Sequence, residues 1–328
     1  MTKLFRWGII GTGKIAGKFA EDIQLIKNAE LYGVASRSAE RAIAFADKHQ
    51  ATHIFDSYEG LAKCGELDAV YIATPHAVHC ENALLCLENK IPTLCEKPLA
   101  MNARQVQQMI SAAREKDTFL MEALWTRFIP MTQKMLDLIK AGAIGEIKML
   151  KADFGFKAPF LPDGRLFNRE LGGGALLDVG LYPVFLALLL LGKPKNIKAF
   201  ASFGQTKVDE NCAMLFQYPN DAIAILDSSV VVNTNTEAFI YGEKGTLHLP
   251  PRFHHPMKLK RNIYDEEEHE IWMPYKGNGY YHEAVEVMQC VLAGKKESNL
   301  FPLKSSLELI ETLDAVRKEA GIVYPGFE

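Results

Sequence analysis

A chain of 328 residues is longer than one compact core usually fills, so two domains are expected. Hydrophobic residues make up 48% and charged residues 23% of the chain, which excludes a disordered protein. The 37 basic and 40 acidic side chains give a net charge of -3, so we expect no binding to nucleic acid or to anionic membranes.

The apolar runs and the cysteines indicate the cellular compartment of the protein. The apolar run Val184 to Leu191 is too short for a bilayer-spanning helix, which needs roughly 20 residues. Arg6 interrupts the N-terminal apolar stretch, which argues against a secretory signal. The six cysteines lack CxxC or metal-ligand spacing. We therefore expect a cytoplasmic protein with reduced thiols and no metal.

Strand and helix signals alternate over the first 123 residues. Strands are predicted at 4–10, 31–35, 53–55, 69–73, 93–95 and 119–122, and helices after residue 13, at 39–48, at 78–89 and around 106–113. Such alternation implies right-handed crossovers and a doubly wound parallel sheet. Residues 1–123 are therefore predicted to form an α/β dinucleotide-binding Rossmann domain.

The pattern changes beyond Trp125. A helix around 131–139 precedes alternating segments at 147–156, 197–203, 211–218, 222–232 and 238–249, and two helices follow at 281–293 and 305–318. Residues 124–328 are predicted to form an α+β substrate-binding and dimerisation domain with an open, mainly antiparallel sheet. Its last helices are expected to pack on this sheet or on the first domain.

The predicted strand around residues 212–216 is apolar on both faces. Cys212, Met214 and Phe216 alternate with Ala213 and Leu215, which leaves neither face polar. One face is expected to meet helices and the other to meet a second subunit, which predicts a homodimer.

A glycine turn of the GxGxxA type closes the first strand, with the sequence Gly11-Thr12-Gly13-Lys14-Ile15-Ala16. The first glycine makes the tight turn and the second lets a pyrophosphate approach the backbone at the start of a helix. Gly11, Thr12, Gly13, Lys14 and Ile15 are therefore predicted to bind a dinucleotide. The alternative is a plain glycine turn in an unrelated α/β protein.

The second strand ends without the acidic residue that usually binds the ribose of NAD. Its end carries Ser36 and Arg37, with Arg41 one turn later. A guanidinium and hydroxyl groups could hold a 2′-phosphate through charge-assisted hydrogen bonds, so we predict NADP, with NAD as a possibility. Alternatively, both arginines are solvated residues at the start of a helix.

Two short segments close the fourth and fifth strands. Ligands of such sheets collect outside the carboxyl ends of the strands, so the cofactor crevice is predicted to include Thr74, Pro75, His79, Glu96 and Lys97. Oxidation of a carbinol by hydride loss also releases the hydroxyl proton, and Lys97 is the predicted acceptor. A surface lysine paired with Glu96 is the alternative.

A second cluster follows the glycine run at 172–174. Asp178 and Tyr182 are four residues apart and share one face of a helix, where a charge among leucines is costly unless it is paired or used. Pro183 is expected to disturb this helix near Val179. The pair is predicted to complete a carbinol-binding triad with Lys97. The alternative has Asp178 as a helix cap and Tyr182 as a core residue.

The glycine turn, the Glu96-Lys97-Pro98 tripeptide and the Asp178-x-x-x-Tyr182 spacing occur in the order found in one family. The chain resembles the glucose-fructose oxidoreductase, inositol dehydrogenase and rhizopine-catabolism (GFO/IDH/MocA) family from residue 5 to about 320. The segments 122–128 and 171–183 look like its branch of dimeric trans-1,2-dihydrodiol dehydrogenases and NADP-dependent D-xylose 1-dehydrogenases. The resemblance implies hydride transfer between NADP and a sugar, a cyclic polyol or a dihydrodiol.

The resemblance also implies roles for individual residues. It gives Lys97 as the acid/base and Asp178 and Tyr182 as substrate-orienting or proton-relay groups. The remaining substrate-site residues that it implies are Trp125, Arg127, Phe154 and either Tyr280 or Tyr281. Trp125 and Arg127 could instead be a packing pair at the domain junction. Many relatives that act on sugar acids or inositol have histidine where Tyr182 stands, which weakens the inositol reading.

Two other functions remain open. Some proteins of this fold bind a nicotinamide cofactor and act as non-catalytic regulators, although the presence of Lys97, Asp178 and Tyr182 together argues against one. An enzyme that oxidises and then reduces one substrate while retaining its cofactor is the other possibility.

Overall fold

The structure, a computed structural model, describes residues 4–328. Its internal contacts divide the chain into two units. The first contains the described residues up to Phe128 together with Tyr275–Leu307, and the second contains Ile129–Pro274 together with Glu308–Glu328. The sequence prediction places the boundary at 123/124 and assigns all later residues to the second domain. The observed division lies after Phe128 and places Tyr275–Leu307 in the first unit.

Six strands and five helices make up the N-terminal part of the first unit. The strands are β1 Phe5–Ile10, β2 Ala29–Ala35, β3 His53–Phe55, β4 Ala69–Ile72, β5 Thr93–Glu96 and β6 Leu120–Ala123. The helices are α1 Lys14–Ile23, α2 Ala39–His49, α3 Tyr58–Ala62, α4 His79–Glu88 and α5 Ala103–Glu115. All the predicted elements are present within a few residues. The short helix α3 was not predicted.

The six strands form one parallel sheet in the order β3-β2-β1-β4-β5-β6. This order reverses between β1 and β4, and ligands of doubly wound sheets bind outside the carboxyl ends of the strands at such a point. The predicted Rossmann fold is therefore confirmed, and the sheet places the ends of β1, β2, β4 and β5 along one edge.

Aromatic packing fixes α1 on this sheet. All four residues of β4 are buried, as expected for a parallel strand covered on both faces. The ring of Phe19 from α1 stacks on Tyr71 of β4 at 3.8 Å and meets Trp7 of β1 edge-on at 5.2 Å. These contacts hold the middle of α1 against β1 and β4.

The second unit is built on an eight-stranded sheet. Its strands are β7 Ile147–Gly155, β8 Asn196–Phe203, β9 Asp209–Gln217, β10 Ile223–Ser229, β11 Ala238–Gly242, β12 Gly245–Leu249, β13 Lys258–Ile263 and β14 His269–Trp272. The strand order is β14-β13-β12-β11-β7-β10-β9-β8, and only the β7–β10 pairing is parallel. The predicted mainly antiparallel sheet is therefore confirmed. The strands β13 and β14 were not predicted, because their charged residues hide the alternation of a half-exposed edge.

Four helices complete the described chain: α6 Pro130–Lys140, α7 Leu181–Leu191, α8 Tyr281–Leu292 and α9 Leu303–Ala320. A π-helical turn, Leu176–Gly180, leads into α7, which confirms the disturbance expected from Pro183 near Val179. The most apolar 18-residue window of the helical stretch Arg169–Leu191 has a mean hydropathy of 2.1, and the stretch is long and apolar enough to cross a membrane. However, 78% of its most apolar window is buried in the fold, as in the core helix of a soluble protein.

The two faces of the large sheet differ in their cover. Helix α7 packs against β7 and β10. The residues Cys212, Met214 and Phe216 of β9 are buried. The cross-strand neighbours on the opposite face include exposed apolar side chains, namely Phe200, Leu215, Ile223 and Ile225. The second face is therefore apolar and exposed in the single chain.

Candidate functional site

The glycine turn after β1 is tight and open to a ligand. Gly11 has φ +97°, and a Cβ there would lie 2.8 Å from the carbonyl oxygen of Ala73. A Cβ on Gly13 would meet nothing within 4 Å. Helix α1 begins at Lys14 without a side-chain cap, so its first N–H groups and its dipole suit an anion. The turn fits the pyrophosphate of a dinucleotide.

The end of β2 is organised by three hydroxyl groups. The Thr12 hydroxyl donates to the Ser36 Oγ at 3.3 Å, and the N–H of Ser38 donates to the same oxygen at 3.3 Å. The Ser38 Oγ caps α2 by accepting the N–H of Arg41 at 3.3 Å. Arg41 therefore starts this helix through its backbone, and its side chain is exposed.

Arg37 lines a cavity of about 390 Å³ at this edge of the sheet. Thr74 and Pro75 line the same cavity. Burial raises the pKa of Tyr58, and the positive charge of the nearby Arg37 partly offsets that rise. Carboxylates also line this cavity, among them Asp56.

His79 joins the two turns that follow β4 and β5. Its ring is fully buried, with Nδ1 2.9 Å from the Pro98 oxygen and Nε2 2.9 Å from the Thr74 oxygen. Carbonyl oxygens only accept hydrogen bonds, so both contacts are hydrogen bonds when the ring carries an N–H on each nitrogen. Asn82 adds a hydrogen bond of 3.0 Å to the Thr74 hydroxyl. His79 therefore holds the turns together, with both ring nitrogens facing protein carbonyls.

Lys97 is half-buried in the turn after β5. Its N–H donates to the Glu96 Oε2 at 3.2 Å, and the Tyr71 hydroxyl donates to the Glu96 Oε1. The N–H of Leu99 donates to the Glu122 Oε1 at 2.9 Å. Burial raises the pKa of Glu122 to about 7, although hydrogen bonds and the charge of Lys97 oppose the rise. Two buried carboxyl groups thus fix the backbone on both sides of Lys97.

The structure distinguishes Tyr280 from Tyr281. The Trp125 and Tyr280 rings stack at 4.7 Å with 9° between their planes, and both are buried. Tyr281 is partly exposed and lies 4.4 Å below the ammonium of Lys276. The aromatic wall next to Trp125 is therefore Tyr280. The Arg127 Nε donates to the Leu300 carbonyl at 2.8 Å, which is a packing contact.

The second unit brings the rings of Phe154, Tyr182 and His254 together. The Phe154 and Tyr182 rings lie 5.6 Å apart, and the His254 ring lies 4.2 Å from Phe154 and 5.2 Å from Tyr182. Asp178 is one helical turn before Tyr182, and its Oδ1 accepts a hydrogen bond of 2.6 Å from the Arg165 Nη1. Lys97 belongs to the first unit, whereas Asp178, Tyr182 and Phe154 belong to the second.

The start of the helix that carries Asp178 rests on the buried Asp209. Its carboxylate accepts the N–H of Leu176 at 2.7 Å and the hydroxyl of Tyr324 at 3.3 Å. A Cβ on Gly174, where φ is +132°, would lie 2.0 Å from the Asp209 Oδ1. The last glycine of the run is therefore needed for this close approach.

Sequence reasoning missed His254, Asp209 and the role of Glu122. The segment between Pro251 and Pro256 contains two consecutive histidines, His254 and His255. Its prolines indicate an irregular loop, and loops often carry binding residues, so this segment could have been singled out from the sequence. Asp209 and Glu122 gave no such signal, since their partners lie at least 23 residues away in the sequence. Among residues 4–328, no group of three or more His, Cys, Asp or Glu side chains could hold a metal ion. All six cysteines are free thiols, and five of them are buried.

Two family models match the chain. The model described as "Oxidoreductase family, NAD-binding Rossmann fold" covers residues 5–124. The model of the GFO/IDH/MocA C-terminal domain covers residues 132–248. These ranges correspond to the Rossmann sheet and to the greater part of the eight-stranded sheet.

Proteins named trans-1,2-dihydrobenzene-1,2-diol dehydrogenase are similar over almost the whole chain. The one from Danio rerio is 38% identical, covering 97% of this chain and 98% of its own. The human protein of the same name is 34% identical, covering 98% of each chain. Both identities are higher than chance similarity over such a length would give, so these two relatives identify the family.

Solved structures agree with the fold. A 3-ketoreductase from Actinomadura kijaniata, in complex with NADP and TDP-benzene, is 25% identical with a TM-score of 0.88, covering 97% of this chain and 98% of its own. A levoglucosan dehydrogenase in complex with NADH is 18% identical with a TM-score of 0.88, covering 97% of each chain. Together with the glycine turn after β1, the two matching family models and the similarity to the dihydrodiol dehydrogenases show that the chain belongs to the GFO/IDH/MocA family of NAD(P)-dependent oxidoreductases.

Proposed function

We propose that the protein is an NADP-preferring dehydrogenase that oxidises a carbinol of a sugar, a cyclic polyol or a trans-dihydrodiol. The position of Lys97 is the main support for this proposal. Lys97 follows β5 and the glycine turn 11–13 follows β1, so both lie at the same edge of the parallel sheet. The names of the dihydrodiol dehydrogenases that resemble this chain support the substrate class.

The bound coenzyme would supply the acceptor for the hydride that leaves the carbinol carbon. The neutral Nζ of Lys97 takes the hydroxyl proton, so that the carbinol becomes a carbonyl and the lysine an ammonium. Glu96 and Glu122 hold the backbone around Lys97, which fixes the point from which its side chain extends. Asp178 and Tyr182 orient the hydroxyl, and Trp125, Phe154 and Tyr280 form the apolar walls.

The preference for NADP is proposed from the end of β2. Arg37 lines the cavity there, together with Tyr58. No acidic residue occupies positions 35–38, where NAD-binding chains usually place one. Arg37→Asp should lower the ratio of kcat/KM for NADP to that for NAD at least tenfold, since it replaces the phosphate ligand by a repelling carboxylate. An unchanged ratio contradicts this assignment.

We further propose a homodimer formed through the exposed face of the large sheet. Phe200, Leu215 and Ile225 make this face apolar, and apolar surface of this kind marks an interface. Sedimentation equilibrium on the wild type and on Leu215→Glu checks the proposal, because a carboxylate in the interface should release monomers. We place the enzyme in the cytoplasm, with no nucleic acid or membrane partner, in keeping with its reduced thiols and its net charge of -3.

A substrate screen with both coenzymes tests the function. The absorbance of reduced coenzyme is followed with D-xylose, other aldoses, inositols and cyclic diols, for the wild type and for Lys97→Met. We expect turnover by the wild type, and a loss of at least a hundredfold in kcat for the variant with coenzyme affinity retained. A tight coenzyme complex without turnover of any alcohol would indicate a regulator instead. Nicotinamide retained through purification would indicate the enzyme that recycles its cofactor.

A further inference from the structure

The loop between β7 and the π-helical turn brings an arginine to Asp178. The Arg165 Nη1 lies 2.6 Å from the Asp178 Oδ1, although the two residues are 13 positions apart. The Asp178 side chain is only 9% exposed, whereas that of Arg165 is 44% exposed. The ion pair therefore joins a buried carboxylate to a guanidinium that reaches the solvent.

The conformation of this loop rests on other contacts. Phe167 is buried in a cluster with Ala175 and Val179. The N–H of Gly173 donates to the Asn168 carbonyl at 2.9 Å, and the Asn168 side chain accepts the N–H of Glu170 at 2.9 Å. Apolar packing and backbone hydrogen bonds thus shape the loop, so a truncated Arg165 side chain should leave the loop in place.

The ion pair places a hydrogen-bond donor, Arg165, next to a hydrogen-bond acceptor, Asp178. A carboxylate only accepts hydrogen bonds, and a guanidinium only donates them. Two hydroxyl groups on adjacent carbon atoms have the matching character, because each can donate or accept. The rings of Tyr182, Phe154 and His254 are close to one another beside the helix of Asp178, and such rings can cover the carbon skeleton of a small cyclic molecule.

The ion pair also discriminates between neutral and charged substrates. The positive charge of Arg165 balances the negative charge of Asp178, so an anionic substrate gains nothing from the pair as a whole. A neutral polyhydroxylated molecule, in contrast, can hydrogen-bond both groups without bringing a further charge into a half-buried place. The ion pair therefore favours a neutral substrate.

We propose that Arg165 and Asp178 together bind two neighbouring hydroxyl groups of the substrate, with the carboxylate accepting from one and the guanidinium donating to the other. This inference rests on the proposed function, because it concerns the same substrate. It makes Arg165 a specificity-determining residue that selects vicinal diols over single alcohols.

The test compares one diol with its mono-alcohol. The holoenzyme is assayed with trans-cyclohexane-1,2-diol and with cyclohexanol, and the ratio of their kcat/KM values measures the contribution of the second hydroxyl. We expect a ratio of at least ten for the wild type. In Arg165→Ala the ratio should fall to about one to three, with most of the change in the KM for the diol. Arg165→Lys, which keeps a charged donor, should recover part of the ratio.

Arg169→Ala is the matched control. Arg169 lies on the same loop, and its Nε donates to the Val323 carbonyl at 2.9 Å. Its replacement should leave the ratio unchanged. If Arg165→Ala lowers kcat/KM for both alcohols by the same factor, Arg165 has only a structural role and the inference is wrong. If the wild type binds coenzyme but oxidises neither these alcohols nor any in the screen, the proposed function fails first, which is a distinct result.

Discussion

Each of the two units fastens the start of a helix with a buried aspartate from a distant element. In the first unit, Asp22 of α1 accepts the N–H of Asn278 at 2.7 Å and that of Tyr281 at 2.9 Å, where α8 begins. In the second unit, Asp209 of β9 accepts the N–H of Leu176 at 2.7 Å. Both carboxylates thus satisfy backbone donors that a helix start leaves without partners.

A glycine lets each carboxylate come close. A Cβ on Gly277 would lie 2.2 Å from the Asp22 Oδ1, and a Cβ on Gly174 would lie 2.0 Å from the Asp209 Oδ1. The two sites differ in their second donor. The other oxygen of Asp22 meets a second backbone N–H, whereas the other oxygen of Asp209 meets the Tyr324 hydroxyl at 3.3 Å.

The ionisation of Asp209 concerns the helix start that leads to Asp178 and Tyr182. Burial raises the pKa of Asp209 to about 7, and its hydrogen bonds offset only part of the rise. The helix start that leads to Asp178 and Tyr182 therefore rests on a group that changes charge near neutral pH. Burial, and not the hydrogen-bond donors, thus makes the cap at Asp209 responsive to pH.

The largest expected effect concerns the ionisation of Asp209. Since burial raises its pKa from 3.8 to about 7, the folded state holds the proton more tightly than the unfolded state. The wild type should therefore lose stability as the pH rises from about 4 to above 7. Asp209→Asn has no proton to lose, so its free energy of unfolding relative to wild type should rise across this range by at most about 4 kcal/mol. Urea denaturation at pH 4 to 8 measures the difference.

Tyr324→Phe provides the control for that measurement. The phenol hydrogen bond lowers the pKa of Asp209, so its removal should move the pH-dependent loss to higher pH. A difference between Asp209→Asn and wild type that stays constant with pH would show that Asp209 keeps one charge state throughout.

A smaller effect is expected at Asp22. In Asp22→Asn the amide NH₂ replaces one acceptor and faces a backbone N–H, so one hydrogen bond to a charged group is lost. The free energy of unfolding should fall by about 2 kcal/mol, as measured by urea denaturation at pH 7. Asp47→Asn is the matched control, because Asp47 is an exposed aspartate on α2. Equal effects of the two substitutions would show that the cap at α8 adds nothing to stability.

The smallest effect is expected at Glu283, which is fully buried near Asp22 in the first unit. Its carboxyl oxygens have no hydrogen-bond partner among the residues that the structure describes. Burial raises the pKa of Glu283 well above its usual range, and the charges of Glu96 and Asp22 add to the rise. Protonated Glu283 and its amide are both neutral, so Glu283→Gln should match the wild type within about 0.5 kcal/mol in urea denaturation at pH 4, where the folded and unfolded wild type both keep the proton.

Above about pH 4.5 the two proteins should separate, because the unfolded wild type releases the Glu283 proton while the folded state keeps it. The wild type therefore loses stability relative to the variant as the pH rises towards the raised pKa of Glu283. A large loss in Glu283→Gln at pH 7 would mean that Glu283 is charged in the fold and has a partner.

The coenzyme edge was predictable from the sequence because each of its residues follows a strand directly. Gly11, Arg37 and Lys97 lie at the ends of β1, β2 and β5, and the alternation of strands and helices determines where these ends meet. The mainly antiparallel sheet of the second unit was also predictable, through the alternation in β7 to β12. The edge strands β13 and β14 were not, because charged residues obscure their period.

The cluster around Tyr182 and the contact of Asp178 with Arg165 could be predicted only in part. Asp178 and Tyr182 were found from their helical spacing, and Phe154 from the family resemblance. The contacts of His254 with Phe154 and of Arg165 with Asp178 depend on how irregular loops fold back, which no local pattern encodes. The support of Asp209 by Tyr324 spans 115 residues, so only the folded chain reveals it.

The central position of β7 has a consequence for how the chain folds. This strand pairs with β10 and β11, whose residues come 74 to 95 positions later, so long loops must close before the sheet can form. The Rossmann strands, by contrast, join partners that lie nearer along the chain. Non-local pairing of this kind slows folding, and we expect the coenzyme sheet to acquire hydrogen-exchange protection before the large sheet does during refolding.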